Sequence, residues 1–142
     1  MTIGRLDHYS IRTTKLEETR RFYSEVVGLR DGYRPNFDFP GAWLYIGEQA
    51  VVHIVGIDKD NPQALLDYLG KDAVDSDNTG SIDHVAFVAT DFDGMTERLK
   101  SMGMPYRERG VPAFNLRQLF LEDPNGVTIE LNFSTAAASA GS

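Results

Sequence analysis

The chain has 142 residues, with 14 basic and 21 acidic side chains, three histidines and no cysteine. This length predicts one domain, and the near-average composition excludes a disordered or fibrous protein. The net charge of −7 argues against nucleic acid and anionic membranes as partners, and without cysteine any metal would be held by nitrogen and oxygen. No stretch approaches the roughly 20 apolar residues of a membrane span, so we expect a cytoplasmic protein with a small-molecule substrate.

The first elements in chain order are a strand and a helix. Arg5–Ile11 is predicted to be a short strand, in which the apolar Tyr9 and Ile11 alternate with the polar His8 and Ser10. The pattern Thr14-x-x-Glu17 is typical of a capping box at a helix start, and Gly28 suits the left-handed position after a helix. Three further strands are predicted near residues 30–34, 42–46 and 50–57.

A connector is predicted between residues 58 and 80. Within it, Asn61 as N-cap and Pro62 at the first helical position indicate a short helix that ends at Gly70.

The second half of the chain repeats the first. Ser81–Phe87 aligns with Arg5–Ile11 at an offset of 76 residues, and Thr90-x-x-Asp93 again predicts a helix start. Strands are expected near residues 106–109, 117–121 and 127–133. Each half therefore runs strand, helix, strand, strand, strand. We assign a single domain to residues 1–134, with module one at 3–57, module two at 81–134 and a disordered tail at 135–142.

The repeat places all three histidines at related positions. His8 aligns with His84, and His53 aligns with Glu130 at an offset of 77 residues. A lone histidine on the polar face of a sheet is more often simply solvated. If a pseudo-twofold axis relates the two halves, however, these four side chains converge and could hold one divalent metal ion. Imidazole and carboxylate suit Fe, Mn, Zn, Ni or Co.

At these positions the chain resembles the vicinal oxygen chelate superfamily, which includes glyoxalase I, methylmalonyl-CoA epimerase, fosfomycin-resistance thiol transferases, bleomycin-binding proteins and extradiol dioxygenases. The resemblance covers residues 3–134. Its carriers are Leu6-Asp7-His8, Arg21-Phe22-Tyr23-x-x-Val26-Val27-Gly28-Leu29, Ile82-Asp83-His84-Val85-Ala86-Phe87 and Asp123-Pro124-Asn125-Gly126-Val127-Thr128-Ile129-Glu130-Leu131.

The resemblance implies an α+β fold in which two βαβββ modules form a cupped mixed sheet around a divalent metal ion. The ion would bind two neighbouring oxygens of the substrate. The family's metal positions fall on His8, His84 and Glu130, whereas His53 stands where glyoxalase-like and epimerase-like members usually have Glu or Gln. Family members commonly pair, some building each site from modules of two chains, so a homodimer is expected.

The number of protein ligands separates the possible reactions. If His53 also ligates an octahedral ion, two positions remain, which suffice for an enediolate but not for a catecholate plus dioxygen. Lyase, isomerase or epimerase chemistry through an enediolate is then favoured. The base is Glu130 if it can leave the metal, or His53 if it does not bind the metal. If His53 is not a ligand, the ligand set is again compatible with Fe(II)-dependent extradiol ring cleavage. A non-catalytic binder of the bleomycin-resistance type is the third hypothesis, against which the intact His8, His84 and Glu130 count.

An aromatic segment could contact the substrate. Phe37, Phe39, Trp43 and Tyr45 could stack on a flat or apolar ligand, although they could equally cover the edge of the core. Arg12 shares the predicted face of His8 and could hold a carboxylate.

Overall fold

The computed structural model describes residues 5–70, 78–80 and 82–135. By its contacts the chain divides into two compact units, residues 1–76 and 77–142. Most of the predicted tail, and residues 71–77 of the predicted connector, lie outside the described residues. Within the described part of the chain, no helix is long and apolar enough to cross a membrane.

The first unit contains a four-stranded mixed sheet with the strand order β1-β4-β3-β2. Strand β1 is parallel to β4, and the other pairs are antiparallel. The helix α1 packs against β3 and β4. The elements are β1 (Tyr9–Thr13), α1 (Leu16–Arg21), β2 (Arg30–Gly32), β3 (Gly41–Ile46), β4 (Gln49–Gly56) and α2 (Gln63–Leu69).

The second unit repeats this arrangement, with the strand order β5-β8-β7-β6 and β5 parallel to β8. Its elements are β5 (His84–Ala89), α3 (Phe92–Ser101), β6 (Arg107–Val111), β7 (Leu116–Glu122) and β8 (Thr128–Ser134). A turn of 3-10 helix, Pro112–Phe114, joins β6 to β7. The two units therefore have the same order of strands and helix, as the repeat predicts.

Strand alternation puts the candidate site residues on the polar faces of the sheets. In β8, Ile129, Leu131 and Phe133 are buried, while Glu130 and Asn132 between them are half-buried. Side chains two residues apart on a strand lie on the same face, so one face of each sheet forms the core and the other presents polar groups.

The helix ends agree with the prediction in part. Gly28 and Gly70 adopt the left-handed conformation, with φ of 92° and 74°, and end their helices. The helix before Gly28 is α-helical over Leu16–Arg21 and π-helical over Phe22–Val27. Helix α2 begins one residue later than predicted, with Pro62 as its N-cap.

The N-caps of α1 and α3 lie one residue after the threonines of the predicted capping boxes. Helix α1 has Lys15 as its N-cap, with no side-chain capping hydrogen bond. Helix α3 is capped by Asp91, whose carboxylate accepts a hydrogen bond from the backbone N–H of Gly94. Asp91 reaches that amide because it adopts a left-handed conformation with φ of 63°, which an aspartate tolerates better than most residues.

Candidate active site

In the second unit, His84 and Glu130 lie together. His84 begins β5 and Glu130 is central in the parallel neighbour β8, so the two side chains rise from adjacent strands. The Nε2 atom of His84 is 3.4 Å from Oε1 of Glu130, and its Nδ1 atom is 2.8 Å from Oδ1 of Asp83. The hydrogen bond to Asp83, with a smaller contribution from Glu130, raises the pKa of His84 above its ordinary value.

Two amides fix the other oxygen of Glu130. Asn132 donates from Nδ2 to Oε2 of Glu130 over 2.8 Å, and Gln118 donates from Nε2 to Oδ1 of Asn132 over 2.9 Å. Gln118 is only 8% exposed. The carboxylate of Glu130 is therefore held on one side by a buried amide chain and faces His84 on the other.

In the first unit, His8 has the same kind of partner as His84. Its Nδ1 atom is 2.6 Å from Oδ2 of Asp7, and Gln49 donates from Nε2 to Oδ1 of Asp7 over 2.8 Å. The hydrogen bond with His8, followed by that from Gln49, lowers the pKa of the Asp7 carboxyl group. His8 is thus held through Nδ1, which leaves Nε2 as the nitrogen for a ligand.

His53 is part of a stack of three rings. It lies on β4, with its ring centroid 4.0 Å from that of Trp43 on β3 and 3.6 Å from that of His8, which immediately precedes β1. Both pairs are nearly parallel, at 12° and 11°. Burial of the ring, and next the nearby His8, lower the pKa of His53, although a hydrogen bond to the backbone of Ala50 opposes this shift. The neutral imidazole is favoured here.

The aromatic residues at positions 37, 39 and 43 have different surroundings, some in the core and some at the candidate site. Phe39 is 7% exposed and packs in a core cluster with Val55 and Leu65. For Phe39 the structure therefore supports the packing role rather than substrate contact. Phe37 stacks on Phe39 with ring centroids 5.2 Å apart, while Trp43 lies against His53.

Arg12 and Tyr45 have different surroundings. Arg12 is exposed on β1. Tyr45 donates its hydroxyl hydrogen to the backbone oxygen of Tyr33 over 2.5 Å, and its ring lies under the guanidinium of Arg30 at 4.7 Å.

Arg34 lies in the aromatic segment and is not among the residues that the sequence predicts to contact the substrate. Its guanidinium lies 4.9 Å from the ring of Phe37 and 5.0 Å from that of Phe39, and Nη2 donates to the backbone oxygen of Phe39 over 2.9 Å. Burial lowers the pKa of Arg34. Nothing in the sequence separates this residue from a surface arginine, because its surroundings depend on how the segment after β2 folds back.

Each unit by itself supplies two of the four predicted metal ligands. Within residues 5–70, 78–80 and 82–135, no group of three or more His, Asp or Glu side chains is placed to hold one ion. The donor chemistry nevertheless fits a divalent metal. Metal-binding histidines usually donate their second ring nitrogen to a carboxylate or carbonyl, and His8 and His84 both have such an aspartate on Nδ1.

Comparison with known proteins identifies the family. Residues 5–131 match the profile of the Glyoxalase/Bleomycin resistance protein/Dioxygenase superfamily, and the chain belongs to this superfamily. It is similar to Glyoxylase I 4 of Arabidopsis thaliana, with 28% identity over 129 residues, which cover 89% of this chain and 68% of the relative. The resemblance recognised in the sequence is thus confirmed.

Solved structures share the fold. A lactoylglutathione lyase from Agrobacterium tumefaciens superposes with a TM-score of 0.64 at 18% identity, covering 95% of this chain and 97% of the other. A mutant of the fosfomycin resistance protein FosX from Listeria monocytogenes, complexed with Mn(II) and 1S,2S-dihydroxypropylphosphonic acid, superposes with a TM-score of 0.67 at 19% identity, covering 94% and 95%. The predicted α+β class is confirmed, as two four-stranded mixed sheets with helices.

Proposed function

We propose that this protein is a metal-dependent enzyme that moves a proton on a small substrate with two neighbouring oxygens, as a lyase, isomerase or epimerase. One observation carries the proposal. At equivalent positions of the two units, an aspartate holds Nδ1 of the next histidine, His8 in one and His84 in the other. Such a partner orients an imidazole for metal binding through Nε2 and raises its basicity.

The proposed ligands are His8, His84 and Glu130, while His53, which the sequence predicts as a fourth ligand, is assigned another role below. Two imidazoles and a carboxylate suit one divalent ion of Fe, Mn, Zn, Ni or Co. The Mn(II) in the FosX complex makes Mn²⁺ the first ion to test. When bound, the ion would supply Lewis-acid chemistry that acidifies a C–H beside a carbonyl.

We assign the base to His53 rather than to Glu130. The ring of His53 is stacked and its pKa is lowered, so at neutral pH it is uncharged and can accept a proton at the ring nitrogen that is not bonded to Ala50. Glu130 instead has Asn132 on one oxygen and His84 at the other. A general base of this kind contributes about 10²- to 10⁴-fold to the rate.

The stacking of His53 also favours a second candidate function. If His53 is not a ligand, the remaining donors are two histidines and one carboxylate, the set that non-haem Fe(II) oxygenases use to keep positions open for substrate and dioxygen. Extradiol ring cleavage is therefore the alternative reaction.

Metal analysis of the purified protein tests these proposals. We expect about one divalent ion per chain in the wild type, and in a Glu122→Gln control, but much less in Glu130→Gln. Protein that binds none of the five metals, even after each is added, would contradict both enzymatic functions and favour a non-catalytic binding protein. Bound iron together with catechol-dependent oxygen consumption would contradict proton transfer and support ring cleavage as the reaction.

The proposal includes a homodimer in the cytoplasm and a domain that spans residues 1–134. Light scattering measures the oligomeric state directly. A monomeric mass across the concentration range used for activity would contradict the dimer.

A further inference from the structure

Among the described residues, Arg34 is a partly buried cation with no carboxylate partner. None of the ion pairs among the described residues includes it, although other arginines of the first unit form such pairs. Its Nε atom is buried and has no hydrogen-bond partner, and only Nη2 is seen to donate, to a backbone oxygen. Burying a polar N–H without a hydrogen-bond partner costs free energy, so the position of Nε requires an explanation beyond packing.

The fold makes room for this guanidinium. Gly41, at the start of β3, lies so close that a Cβ atom there would be 2.8 Å from Nη2 and 2.9 Å from Cζ of Arg34. On its other side the guanidinium lies over the rings of Phe37 and Phe39. Arg34 is therefore held between the backbone of the sheet and two aromatic rings, which fixes the direction of its remaining N–H groups.

Arg34 is also near the three-ring stack of Trp43, His53 and His8. It contributes, as a positive charge, to the surroundings of His53, and Phe37 lies 6.3 Å from Trp43. A ligand that contacts the stack could consequently place an anionic group beside Arg34. A guanidinium binds a carboxylate with two parallel hydrogen bonds, so the ligand would pair with the two terminal nitrogens of Arg34, while Nε stays buried.

We propose that Arg34 is an anion-binding residue that selects substrates carrying a carboxylate in addition to the two neighbouring oxygens. The inference rests on the proposed function, because it concerns another part of the same substrate. It replaces Arg12 by Arg34 as the principal carboxylate-binding residue, since Arg34 is held in place by its neighbours and Arg12 is exposed.

Two probes that differ only in a carboxylate test this assignment. Catechol and 3,4-dihydroxybenzoate share a flat ring with two neighbouring oxygens, and their dissociation constants can be measured by isothermal titration calorimetry. We expect wild-type protein to bind 3,4-dihydroxybenzoate about tenfold more tightly than catechol, because a charge-assisted pair contributes at least that much. Equal affinity, or no binding of 3,4-dihydroxybenzoate, would overturn the proposal.

Variants separate binding from packing. Arg34→Gln should reduce the ratio of the two dissociation constants to about one, and Arg34→Lys should keep part of it. Arg30→Gln is the matched control, since Arg30 also lies over an aromatic ring and donates to a backbone oxygen, yet is exposed. A purely structural Arg34 would change the melting temperature and leave the ratio unaltered, which would contradict the proposal.

Titrations with and without Mn²⁺ distinguish this inference from the metal proposal. A carboxylate preference in protein that does not bind Mn²⁺ would support Arg34 and contradict the metal site. Bound Mn²⁺ without a carboxylate preference would support the metal site and contradict the role of Arg34. If Arg34→Gln does not fold, the wild-type ratio, together with its retention in Arg30→Gln and its partial loss in Arg34→Lys, still decides the question.

Discussion

The imidazole of His53 lies flat against that of His8, with ring centroids 3.6 Å apart and an angle of 11° between the planes. A metal-binding lone pair of imidazole lies in the plane of its ring. Two stacked, parallel rings therefore direct their lone pairs side by side and not toward one point. This orientation separates the roles of the two histidines, with His8 as a proposed ligand and His53 beside it as a proposed base.

This separation predicts different effects of two substitutions on metal affinity. His53→Ala should leave the dissociation constant for Mn²⁺ within about threefold of wild type, as expected for a residue outside the ligand set. His8→Ala should raise it by at least about 100-fold, since loss of a ligand exceeds the effect of losing a ligand's hydrogen-bond partner. Calorimetric titration with Mn²⁺ measures both. Equal losses in the two variants would show that His53 is also a ligand.

The repeated topology could be predicted from the sequence because its signals are local. Alternation along Thr128–Ser134 predicts which residues face the core. The glycines at 28 and 70 predict helix ends from their own backbone conformation, without reference to tertiary contacts. The stack at His53 could not be predicted in the same way. It depends on Trp43 lying opposite His53 in the pairing of β3 with β4, and strand register is set by tertiary packing.

The capping residue of α3 is a second feature that the sequence alone does not predict. Both Thr90 and Asp91 are good N-cap residues, so composition alone does not choose between them. The choice depends on Asp91 adopting a left-handed conformation, and a neighbouring glycine permits it. A Cβ atom at Gly94 would lie 2.2 Å from Oδ2 of Asp91.

The amide chain behind Glu130 predicts a positioning role for Asn132. Asn132→Leu removes the donor to Oε2 of Glu130 and leaves Gln118 without its acceptor. We expect the dissociation constant for Mn²⁺ to rise about 10- to 100-fold, as for other partners that orient a metal ligand. Gln63→Leu is a suitable control, because Gln63 lies on the exposed surface of α2 and donates to Asp67 there. An unchanged affinity in Asn132→Leu would show that Glu130 is not held by this chain or is not a ligand.

The pKa values of His53 and His84 should be shifted in opposite directions from the ordinary value of histidine. In metal-free protein, NMR titration of the imidazole resonances should place the pKa of His53 below its ordinary value and that of His84 above it. Asp83→Asn should lower the pKa of His84, because the hydrogen bond to Asp83 is the largest cause of its rise and favours the protonated ring. Asp67→Asn, on α2 in the other unit, is the control and should leave His84 unchanged. A pKa of His84 that does not respond to Asp83→Asn would contradict the pairing.

The packing of Phe39 predicts an effect on stability and none on ligand contact. Phe39 is buried against Val55 and Leu65, so Phe39→Ala removes a large apolar side chain from a cluster that joins α2 to the sheet. We expect the free energy of unfolding to fall by about 3–5 kcal/mol, measured by urea denaturation. Tyr33→Ala is the matched control, because the ring of Tyr33 is 75% exposed and its removal should change stability by less than about 0.5 kcal/mol. If Phe39→Ala instead kept its stability and weakened binding of catechol, the ring would belong to the substrate site, which is one of the two roles that the sequence leaves open.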